Sequence, residues 1–380
     1  MGRTARLIYD ESENNSDLYY LSGFLAGDPF LYLEIEGETR LYLSDLEVDR
    51  GRSTSSVDQV ERLQAVVEAI KDADPDLAPA NAGKTSSVLR RIAHDHGIDG
   101  FEVPGSFPVG LADTLRGLGV GLRWLQGSFA PARLLKTPEE VEHIRTAIQH
   151  TQAAMQAAID QIARATIRGD TLYEGAEPLT AEAVKRTIHS TLLERECFGP
   201  LPIVAGGEQA VDPHDRGSGP LPANRPIILD IFPRHMPSRY HGDMTRTVVR
   251  GKASDEVKRM HKAVFDAKAA AEALVRDEAQ GQAIHKAVQA VFDDAGFETG
   301  EKDGRMVGFF HGTGHGLGLD IHEAPRIAKG EATLRAGHVV TIEPGLYYPG
   351  LGGVRIEDDV LVTATGCDNL CDFDQERLEV

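Results

Sequence analysis

Cysteine is scarce in this chain, which has three cysteines among its 380 residues. An odd and sparse set argues against a disulfide framework and favours a reducing compartment. Cys367 and Cys371 are too far apart for a C-x-x-C zinc or redox motif, and no second pair lies near them. We therefore expect Cys197, Cys367 and Cys371 to be free thiols.

Long hydrophobic runs are also missing. No stretch approaches the length of a membrane span, and the segment "MGRTARLIYDESENN" turns acidic without the apolar core of a secretory signal. The Met-Gly start lacks the Ser or Thr of a myristoylation site, because Arg6 stands at that position. These absences predict a cytoplasmic protein without a membrane partner.

Positive charge is in deficit, with 40 Lys and Arg against 59 Asp and Glu and a formal net charge of −19. Such a chain repels polyanions, so nucleic acid and anionic membrane surfaces are not expected partners. The remaining composition, 41% hydrophobic and 26% charged, is that of an ordinary globular protein. The length favours two domains over one.

The first domain is predicted over residues 1–130. Short apolar runs such as "LYYLSGF" and "FLYLEI", followed by "GETRLYL", predict a strand, a turn and a strand. Helical patterns follow in "VERLQAVVEAIKDA" and "SSVLRRIAHDHGI". This part is therefore predicted to be an α/β domain, and it contains no catalytic constellation of residues.

A second domain, residues 131–380, is predicted after a linker near 128–136. Thr137 can cap a helix, Pro138 suits its first position and Glu140 completes a capping box, so a long amphipathic helix begins here. Further helices are predicted at 180–196, 254–276 and 281–295. Strands are predicted in the runs "LPIVAGG", "PIILDIF", "DMTRTVVR", "HVVTIEPGLYY" and "GVRIEDDVLVT".

The segment "HGTGHGLGLDIHEAPR" holds three histidines, His311, His315 and His322, with glycine at alternate positions. Glycine at every second position removes side chains from one face of an extended chain and allows close approach to the backbone. A phosphate-binding loop is disfavoured, because neither G-x-x-x-x-G-K-[ST] nor G-x-G-x-x-G at a helix start is present. The pattern favours a binding or catalytic site of another kind.

Carboxylates lie in two predicted strand pairs. Folding "HVVTIEPGLYYPGLGGVRIEDDVLVT" about Gly350 places Glu343 opposite Glu357, where cross-strand partners are close. Folding the loop "PRHMPSRYH" about its middle places Asp230 opposite Asp243. Each hairpin therefore brings two acidic groups together.

Buried like charges are costly unless a cation lies among them. Four carboxylates and the imidazole of His315 form an oxygen-rich set that suits Mn²⁺, Co²⁺, Zn²⁺ or Fe²⁺. Taken singly, each residue has an ordinary explanation as a cap or as a solvent-facing side chain. Asp230 and Glu343, however, lie inside the apolar runs "IILDIF" and "VVTIEP", where an unpaired charge is not expected. A structural Ca²⁺ site is disfavoured by the histidine.

Five ordered motifs, "ILD", "DMTRT", "TGHGLGLDIHE", "TIEPGLY" and "GVRIEDDVLVT", resemble the M24 metallopeptidases with the pita-bread fold. The resemblance is to the Xaa-Pro branch, which contains prolidase and aminopeptidase P, and it covers roughly residues 131–375. "SDLYYLSGF" is similar to the creatinase-type amino-terminal domain of the same enzymes. The implied fold class is α+β, with a pita-bread catalytic domain preceded by a smaller α/β creatinase-type domain.

The resemblance implies a dinuclear metal centre. Five positions match its ligands: Asp230, Asp243, His315, Glu343 and Glu357. Asp230 would hold one metal, His315 and Glu343 the other, while Asp243 and Glu357 would bridge them. Two divalent ions are implied, with Mn²⁺ the first choice and Co²⁺ or Zn²⁺ as alternatives.

The resemblance also implies residues around the substrate. His214 in "DPHDRG" matches a substrate-side histidine, and His311 and His322 match two histidines that line the pocket. Arg326 is similar to the arginine that prolidases place at a substrate carboxylate. Arg355 matches an arginine behind the ligands and is grouped with the substrate residues.

The activity implied is hydrolysis of Xaa-Pro bonds in dipeptides or short peptides, by attack of a hydroxide that bridges the two metals. His322 would stabilise the oxyanion, Glu343 would transfer the proton, and His311 would assist. Alternatives are an aminopeptidase P that acts only on longer peptides and a non-catalytic binding protein of the same fold. Creatinase is disfavoured by the full ligand set, and methionine aminopeptidase by the amino-terminal domain. A homodimer is also implied.

Overall fold

The computed structural model of the chain describes residues 3–73 and 79–380, and it divides the chain into two units. The first unit is Met1–Arg133 and the second is Leu134–Val380. The division falls shortly after the predicted one between residues 130 and 131, and a 3₁₀ helix at Pro131–Leu134 crosses it. The residues of the predicted linker therefore include regular structure.

The first unit is built on a mixed six-stranded sheet in the order β4-β3-β2-β1-β5-β6. Its strands are β1 (Thr4–Asp10), β2 (Phe30–Ile35), β3 (Glu38–Leu43), β4 (Gln59–Arg62), β5 (Gly100–Val103) and β6 (Gly121–Trp124). Its helices are α1 (Ser16–Ser22), α2 (Val48–Thr54), α3 (Leu63–Ala73), α4 (Pro79–Ala82), α5 (Thr85–Asp95) and α6 (Val109–Gly117). The predicted α/β class of this unit is confirmed.

One strand predicted in this unit is wrong. The run "LYYLSGF" forms most of helix α1, because both ends of that helix are capped. The side chain of Asn15 accepts the backbone N–H of Leu18, and Gly23 ends the helix in the left-handed conformation. The hairpin predicted from "FLYLEI" and "GETRLYL" is present as β2 and β3, with Ile35 paired to Glu38.

The second unit carries four α-helices over its described residues. They are α7 (Pro138–Arg164), α8 (Ala181–Leu193), α9 (Asp255–Glu272) and α10 (Gly281–Asp294). The predicted start of the long helix is confirmed: Thr137 and Glu140 form a complete capping box and Pro138 opens α7. The other three helices lie within the predicted ranges.

The strands of the second unit are short and form several sheets. They are β7 (Thr166–Arg168), β8 (Thr171–Glu174), β9 (Glu177–Pro178), β10 (Cys197–Phe198), β11 (Ile203–Gly206), β12 (Ile227–Ile231), β13 (Arg234–His235), β14 (Met244–Val248), β15 (Gly300–Lys302), β16 (Arg305–Val307), β17 (Gly314–Gly316), β18 (Glu323–Ile327), β19 (Val339–Ile342), β20 (Gly345–Tyr348), β21 (Gly352–Arg355), β22 (Asp358–Val362) and β23 (Cys367–Asn369).

Two of these sheets position the candidate site. One has the order β11-β12-β14 and the other has the order β18-β17-β19-β22-β23. Apolar residues of α7 and α8 pack on the first sheet, and those of α9 and α10 pack on the second. An isolated bridge between Thr245 in β14 and Glu357, directly before β22, joins the two sheets. Acidic residues of both sheets therefore lie close to this junction.

All three cysteines are free, as predicted. Burial raises the pKa of the Cys197 thiol to about 11, which makes it unreactive near neutral pH. In the described parts of the chain, no helix has both the length and the apolar character needed to cross a lipid bilayer.

Candidate metal centre and substrate pocket

Asp230 and Asp243 come from β12 and from the start of β14. The predicted pairing of these two residues is wrong, because Asp230 lies opposite Thr245. The connecting loop contains its own strand, β13, so its midpoint does not set the register. Residues two apart on a strand share a face. Asp243 therefore still lies on the same side as Asp230, in the diagonal position.

Glu343 and Glu357 face each other, as predicted. Ile342 pairs with Asp358 on one side of them and Gly345 pairs with Arg355 on the other, so the same register continues through the gap. The hydroxyl of Thr245 donates to Glu357 Oε2 at 2.6 Å and fixes that carboxylate. The short glycine-rich turn determines this register.

His315 lies in the middle of β17, between Gly314 and Gly316. A Cβ atom on Gly314 would lie 1.8 Å from the carbonyl oxygen of Thr341, so only glycine allows this close approach of β17 to β19. His315 Nδ1 donates to the carbonyl of Gly316 at 3.1 Å. Its Nε2 therefore presents a lone pair, which is the form that binds metals.

The lone pair of His315 points into the carboxylate cluster. Its Nε2 lies 3.8 Å from Asp243 Oδ2 and 3.8 Å from Glu343 Oε1. Burial lowers the pKa of His315 to about 4, so the imidazole is neutral at pH 7. The potential ligand atoms of Asp243, His315 and Glu357 lie within 4.8 Å of one another, and all three residues are buried.

The cluster is electrostatically unfavourable without a cation. Burial, followed by the charge of Glu357, raises the pKa of Asp243 well above its usual range, and burial and Glu343 do the same for Glu357. Burial raises the pKa of Glu343 to about 7. Among the described residues, the Oδ1 atoms of Asp230 and Asp243 are buried and have no hydrogen-bond partner. Oxygen donors and one imidazole in this state fit a divalent transition-metal ion.

A hydrogen-bonded chain leads from Asp230 to His311. Arg355 donates to Asp230 Oδ2 at 2.8 Å and to the hydroxyl of Tyr347 at 2.9 Å. The hydroxyl of Tyr347 lies 2.9 Å from His311 Nε2, and His311 Nδ1 donates to the carbonyl of Gly312 at 2.8 Å. Both ring nitrogens of His311 are therefore engaged within the protein.

The carboxylates form the floor of a cavity of about 620 Å³. Three residues predicted to contact substrate, His214, His322 and Arg326, are exposed and line its wall, together with apolar side chains such as Ile203 and Phe310. Partial burial, and then the charges of Arg326 and His214, lower the pKa of His322. These three groups therefore lie near one another, above the predicted metal ligands. His311 and Arg355 also line the cavity.

Two residues of the site, Tyr347 and Asp359, are not among the site residues predicted from the sequence. They lie in the predicted strand runs "HVVTIEPGLYY" and "GVRIEDDVLVT". Asp359 is fully buried, and its Oδ2 accepts the backbone N–H of Asp243 at 2.9 Å. The signal for Asp359 was available, since a second and a third acidic residue stand in an otherwise apolar strand. Tyr347 gave no such signal, because tyrosine is common in strands.

Solved structures share this architecture. An X-Pro aminopeptidase from Thermotoga maritima MSB8 is similar with a TM-score of 0.80 at 23% identity, covering 100% of this chain and 98% of that chain. An Xaa-Pro dipeptidase from Bacillus anthracis gives a TM-score of 0.79 at 21% identity, covering 99% and 95%. The predicted α+β pita-bread fold with an amino-terminal domain is confirmed.

Curated relatives match this chain over different lengths. The chain is 26% identical to an Xaa-Pro dipeptidase from Pyrococcus furiosus over 393 residues, which covers 99% of both chains. It is 33% identical to Xaa-Pro aminopeptidase 1 from Streptomyces coelicolor over 266 residues, or 63% of this chain and 52% of that protein. The family model for metallopeptidase family M24 matches residues 142–364, which include every predicted ligand. The chain belongs to metallopeptidase family M24.

Proposed function

We propose that this protein hydrolyses Xaa-Pro bonds in dipeptides or short peptides and that it uses two divalent cations, with Mn²⁺ the first candidate. The observation that carries the proposal is the convergence of five ligand-type side chains on the floor of one cavity. The similar proteins from Pyrococcus furiosus and Bacillus anthracis are both Xaa-Pro dipeptidases, which supports this substrate class.

The cations would be held by the five residues predicted from the sequence: Asp230, Asp243, His315, Glu343 and Glu357. When bound, divalent cations lower the pKa of water to near neutrality and polarise a carbonyl oxygen. The unsatisfied Oδ1 atoms of Asp230 and Asp243 are consistent with ligand roles. Arg355 binds Asp230 through a charge-assisted hydrogen bond and so orients it.

Proton transfer falls to Glu343. Without metal its pKa is about 7 because it is buried. A neighbouring cation favours the ionised form, so Glu343 would be a carboxylate in the loaded enzyme. It then accepts a proton from the attacking water and returns it to the proline nitrogen when the peptide bond breaks.

The three histidines that line the cavity have different roles. His322 is exposed to the cavity and donates a hydrogen bond to the oxyanion that forms on the scissile carbonyl. His214 binds the substrate on the same wall. His311 supports the site as part of the chain through Tyr347, because both of its nitrogens are already engaged. Its contact with substrate is through the face or edge of its ring.

Arg326 selects the length of the substrate. It is exposed on the cavity wall. After burial, its charge is the next cause of the lowered pKa of His322, and it partly opposes the rise that burial causes in the pKa of Glu343, so it lies close to both groups. A guanidinium pairs with a carboxylate through two hydrogen bonds. In a dipeptide the free carboxylate directly follows the scissile bond, and Arg326 binds it there. This arrangement favours dipeptides over longer peptides.

The test is the initial rate of hydrolysis of Gly-Pro, Ala-Pro and Ala-Pro-Ala by metal-stripped protein, with Mn²⁺, Co²⁺ or Zn²⁺ added back. We expect cleavage of the dipeptides that depends on metal and is lost in Asp243→Ala. Cleavage of the tripeptide alone would instead indicate an aminopeptidase P. If none of the three peptides is cleaved with any metal, the proposed activity is wrong.

A variant of Arg326 tests whether this residue binds the substrate carboxylate without taking part in bond cleavage. Arg326→Gln should raise the KM for Ala-Pro about 10-fold or more, since a charged hydrogen bond contributes about 1.5–3 kcal/mol. Hydrolysis of an Ala-Pro amide, which has no carboxylate, should change little. An equal loss on both substrates would contradict carboxylate binding.

The homodimer and the cytoplasmic location stay predictions. Light scattering on the purified protein tests whether it is a homodimer.

A further inference from the structure

A buried ion pair lies beneath the cavity wall. Lys136 Nζ and Glu323 Oε2 are 2.8 Å apart, and their side chains are only 1% and 4% exposed. A buried ion pair is weak support for stability, because apolar residues of similar volume are often as stable. A pair that joins residues so distant in the sequence therefore calls for an explanation beyond stability.

The pair holds the loop that carries His322. Glu323 follows His322 directly in the chain, and its second oxygen, Oε1, accepts the backbone N–H of Asp320 at 3.1 Å. One carboxylate oxygen therefore faces Lys136, while the other closes the turn on the amino-terminal side of His322. The imidazole of His322 contacts His315 edge to face, with ring centroids 4.4 Å apart.

The other member of the ion pair, Lys136, lies at the start of helix α7. Lys136 immediately precedes the helix cap Thr137, and its backbone N–H donates to the carbonyl of Gly337 at 2.7 Å. Lys136 thus lies between a capped helix and the turn before β19. Its side chain reaches the His322 loop from a fixed position.

Gly318 leaves the space for this pair. A Cβ atom there would lie 2.9 Å from Lys136 Cε and 3.0 Å from the carboxylate oxygens of Glu323. The backbone of Gly318 is itself held, since its carbonyl accepts the N–H of His241 at 2.8 Å. The ion pair therefore packs tightly under the first turn of the loop.

We propose that Lys136 is a positioning residue that, through Glu323, fixes the His322 imidazole at the cavity wall. The inference rests on the proposed function, because His322 is the group that meets the developing oxyanion. Lys136 itself lies below the wall and is not among the residues that line the cavity. Its effect should appear in the turnover of bound substrate and not in the binding of metal.

The first test compares Lys136→Met with the double variant K136M/E323Q, which leaves no unpaired charge in the buried site. For each protein, kcat and KM for Ala-Pro are measured together with the bound Mn²⁺ and the folded fraction. Displacement of a catalytic group by about 1 Å can cost about 100-fold in rate. We expect kcat to fall about 10- to 100-fold in both variants, with KM and metal content little changed. A double variant that folds, binds metal and keeps full kcat would overturn the proposal.

A double-mutant cycle with His322→Asn separates positioning from a general structural role. If Lys136 acts through His322, adding K136M/E323Q to His322→Asn lowers kcat little further. If the loss is the same factor in both backgrounds, Lys136 does not act through His322 and the proposal is wrong. A wild-type enzyme that cleaves no Xaa-Pro peptide would instead refute the proposed function.

Arg250→Met is the matched control. Arg250 is a part-buried cation of the same unit that donates to the carbonyls of Ala165 and Val380, away from the cavity. This variant should unfold more easily while its kcat per folded molecule stays that of the wild type. A comparable fall in kcat for Arg250→Met would show that any buried cation has this effect, and would overturn the assignment to Lys136.

Discussion

One oxygen atom, the hydroxyl of Tyr347, lies between Arg355, which binds the carboxylate of Asp230, and the imidazole of His311. It accepts a hydrogen bond from Arg355, and it donates to His311 Nε2, because the other ring nitrogen already donates to Gly312. Burial raises the pKa of Tyr347 to about 12, so the hydroxyl keeps its proton. Both interactions are therefore maintained throughout the neutral pH range.

Tyr347→Phe removes this oxygen and leaves the buried Arg355 and the half-buried His311 each without one hydrogen-bond partner. We expect the free energy of unfolding to fall by about 1–3 kcal/mol, which is the usual cost of such groups. Urea denaturation of the metal-free protein measures it. The neighbouring Tyr348→Phe is the control, because that hydroxyl donates only to the exposed carbonyl of Glu298. Equal losses in the two variants would contradict the role assigned to Tyr347.

Removing one carboxylate of the cluster should stabilise the metal-free protein and weaken the stabilisation that added metal provides. Asp243→Asn removes a carboxyl group whose charged form is disfavoured by burial and by the neighbouring carboxylates. The metal-free variant should therefore be more stable than the wild type. Added Mn²⁺ at 100 times its Kd should stabilise the wild type by about 2.7 kcal/mol and the variant much less. Thermal unfolding with and without Mn²⁺ measures both, and a variant stabilised as much as wild type would exclude Asp243 as a ligand.

The ligand-type residues could be proposed from the sequence because a charge inside an apolar run is conspicuous. Asp230 and Glu343 are of this kind. Lys136 and Glu323 could not be connected in the same way, since 187 positions separate them and each is ordinary in its local context. Long-range pairs of this type have no local sequence signature.

The close packing of strand β17 against β19 requires glycine at position 314. In Gly314→Ala the new methyl group would overlap the carbonyl of Thr341, so the strand would have to move away from β19. We expect a loss of stability of about 3 kcal/mol, at the upper end for overpacking, and weaker metal binding because His315 moves with the strand. Gly330→Ala is the control, since nothing lies within 4 Å of its Cβ position, and its effect should stay within about 0.5 kcal/mol. Denaturant unfolding compares the two, and a Gly314→Ala protein as stable as Gly330→Ala would contradict the contact.

Of the two acidic strand pairs, the register of one could be predicted from the sequence and the register of the other could not. Glu343 and Glu357 were paired correctly because a short turn fixes the register of the strands that it joins. Asp230 was paired with the wrong partner, because the loop between β12 and β14 holds a further strand. The helix α1 was mistaken for a strand for a related reason: its apolar run is too short for its period to be decisive. Capped helices such as α7 were predicted well, since their signals are local.

The protein as a whole should respond to acid through its buried histidines. Burial lowers the pKa of His261 and of His338 to about 4, whereas both regain ordinary values near 6.5 in the unfolded chain. Between pH 6.5 and 4 the unfolded chain binds more protons, so the free energy of unfolding falls as the pH falls. Each histidine contributes at most about 1.4 kcal/mol per pH unit within this window.

The carboxylates of the candidate metal centre change stability with pH in the opposite direction. The pKa values of Asp243 and Glu357 are raised in the metal-free fold, so these groups favour the folded state at low pH and destabilise it as the pH rises. The histidines and the carboxylates therefore change the free energy of unfolding in opposite directions as the pH changes. The wild type and a variant that lacks one histidine have the same carboxylates. The difference between their free energies of unfolding therefore reports on that histidine alone.

His338→Gln provides that difference. A glutamine oxygen can still accept the backbone N–H of Arg335, which His338 Nδ1 accepts at 3.0 Å in the wild type, but glutamine does not titrate. We expect the wild type to lose stability relative to His338→Gln by up to about 3 kcal/mol between pH 6.5 and 4.5, measured by urea denaturation at intervals of pH. Parallel curves for the wild type and His338→Gln would mean that His338 is protonated without unfolding, and that its burial imposes no penalty on the charged form.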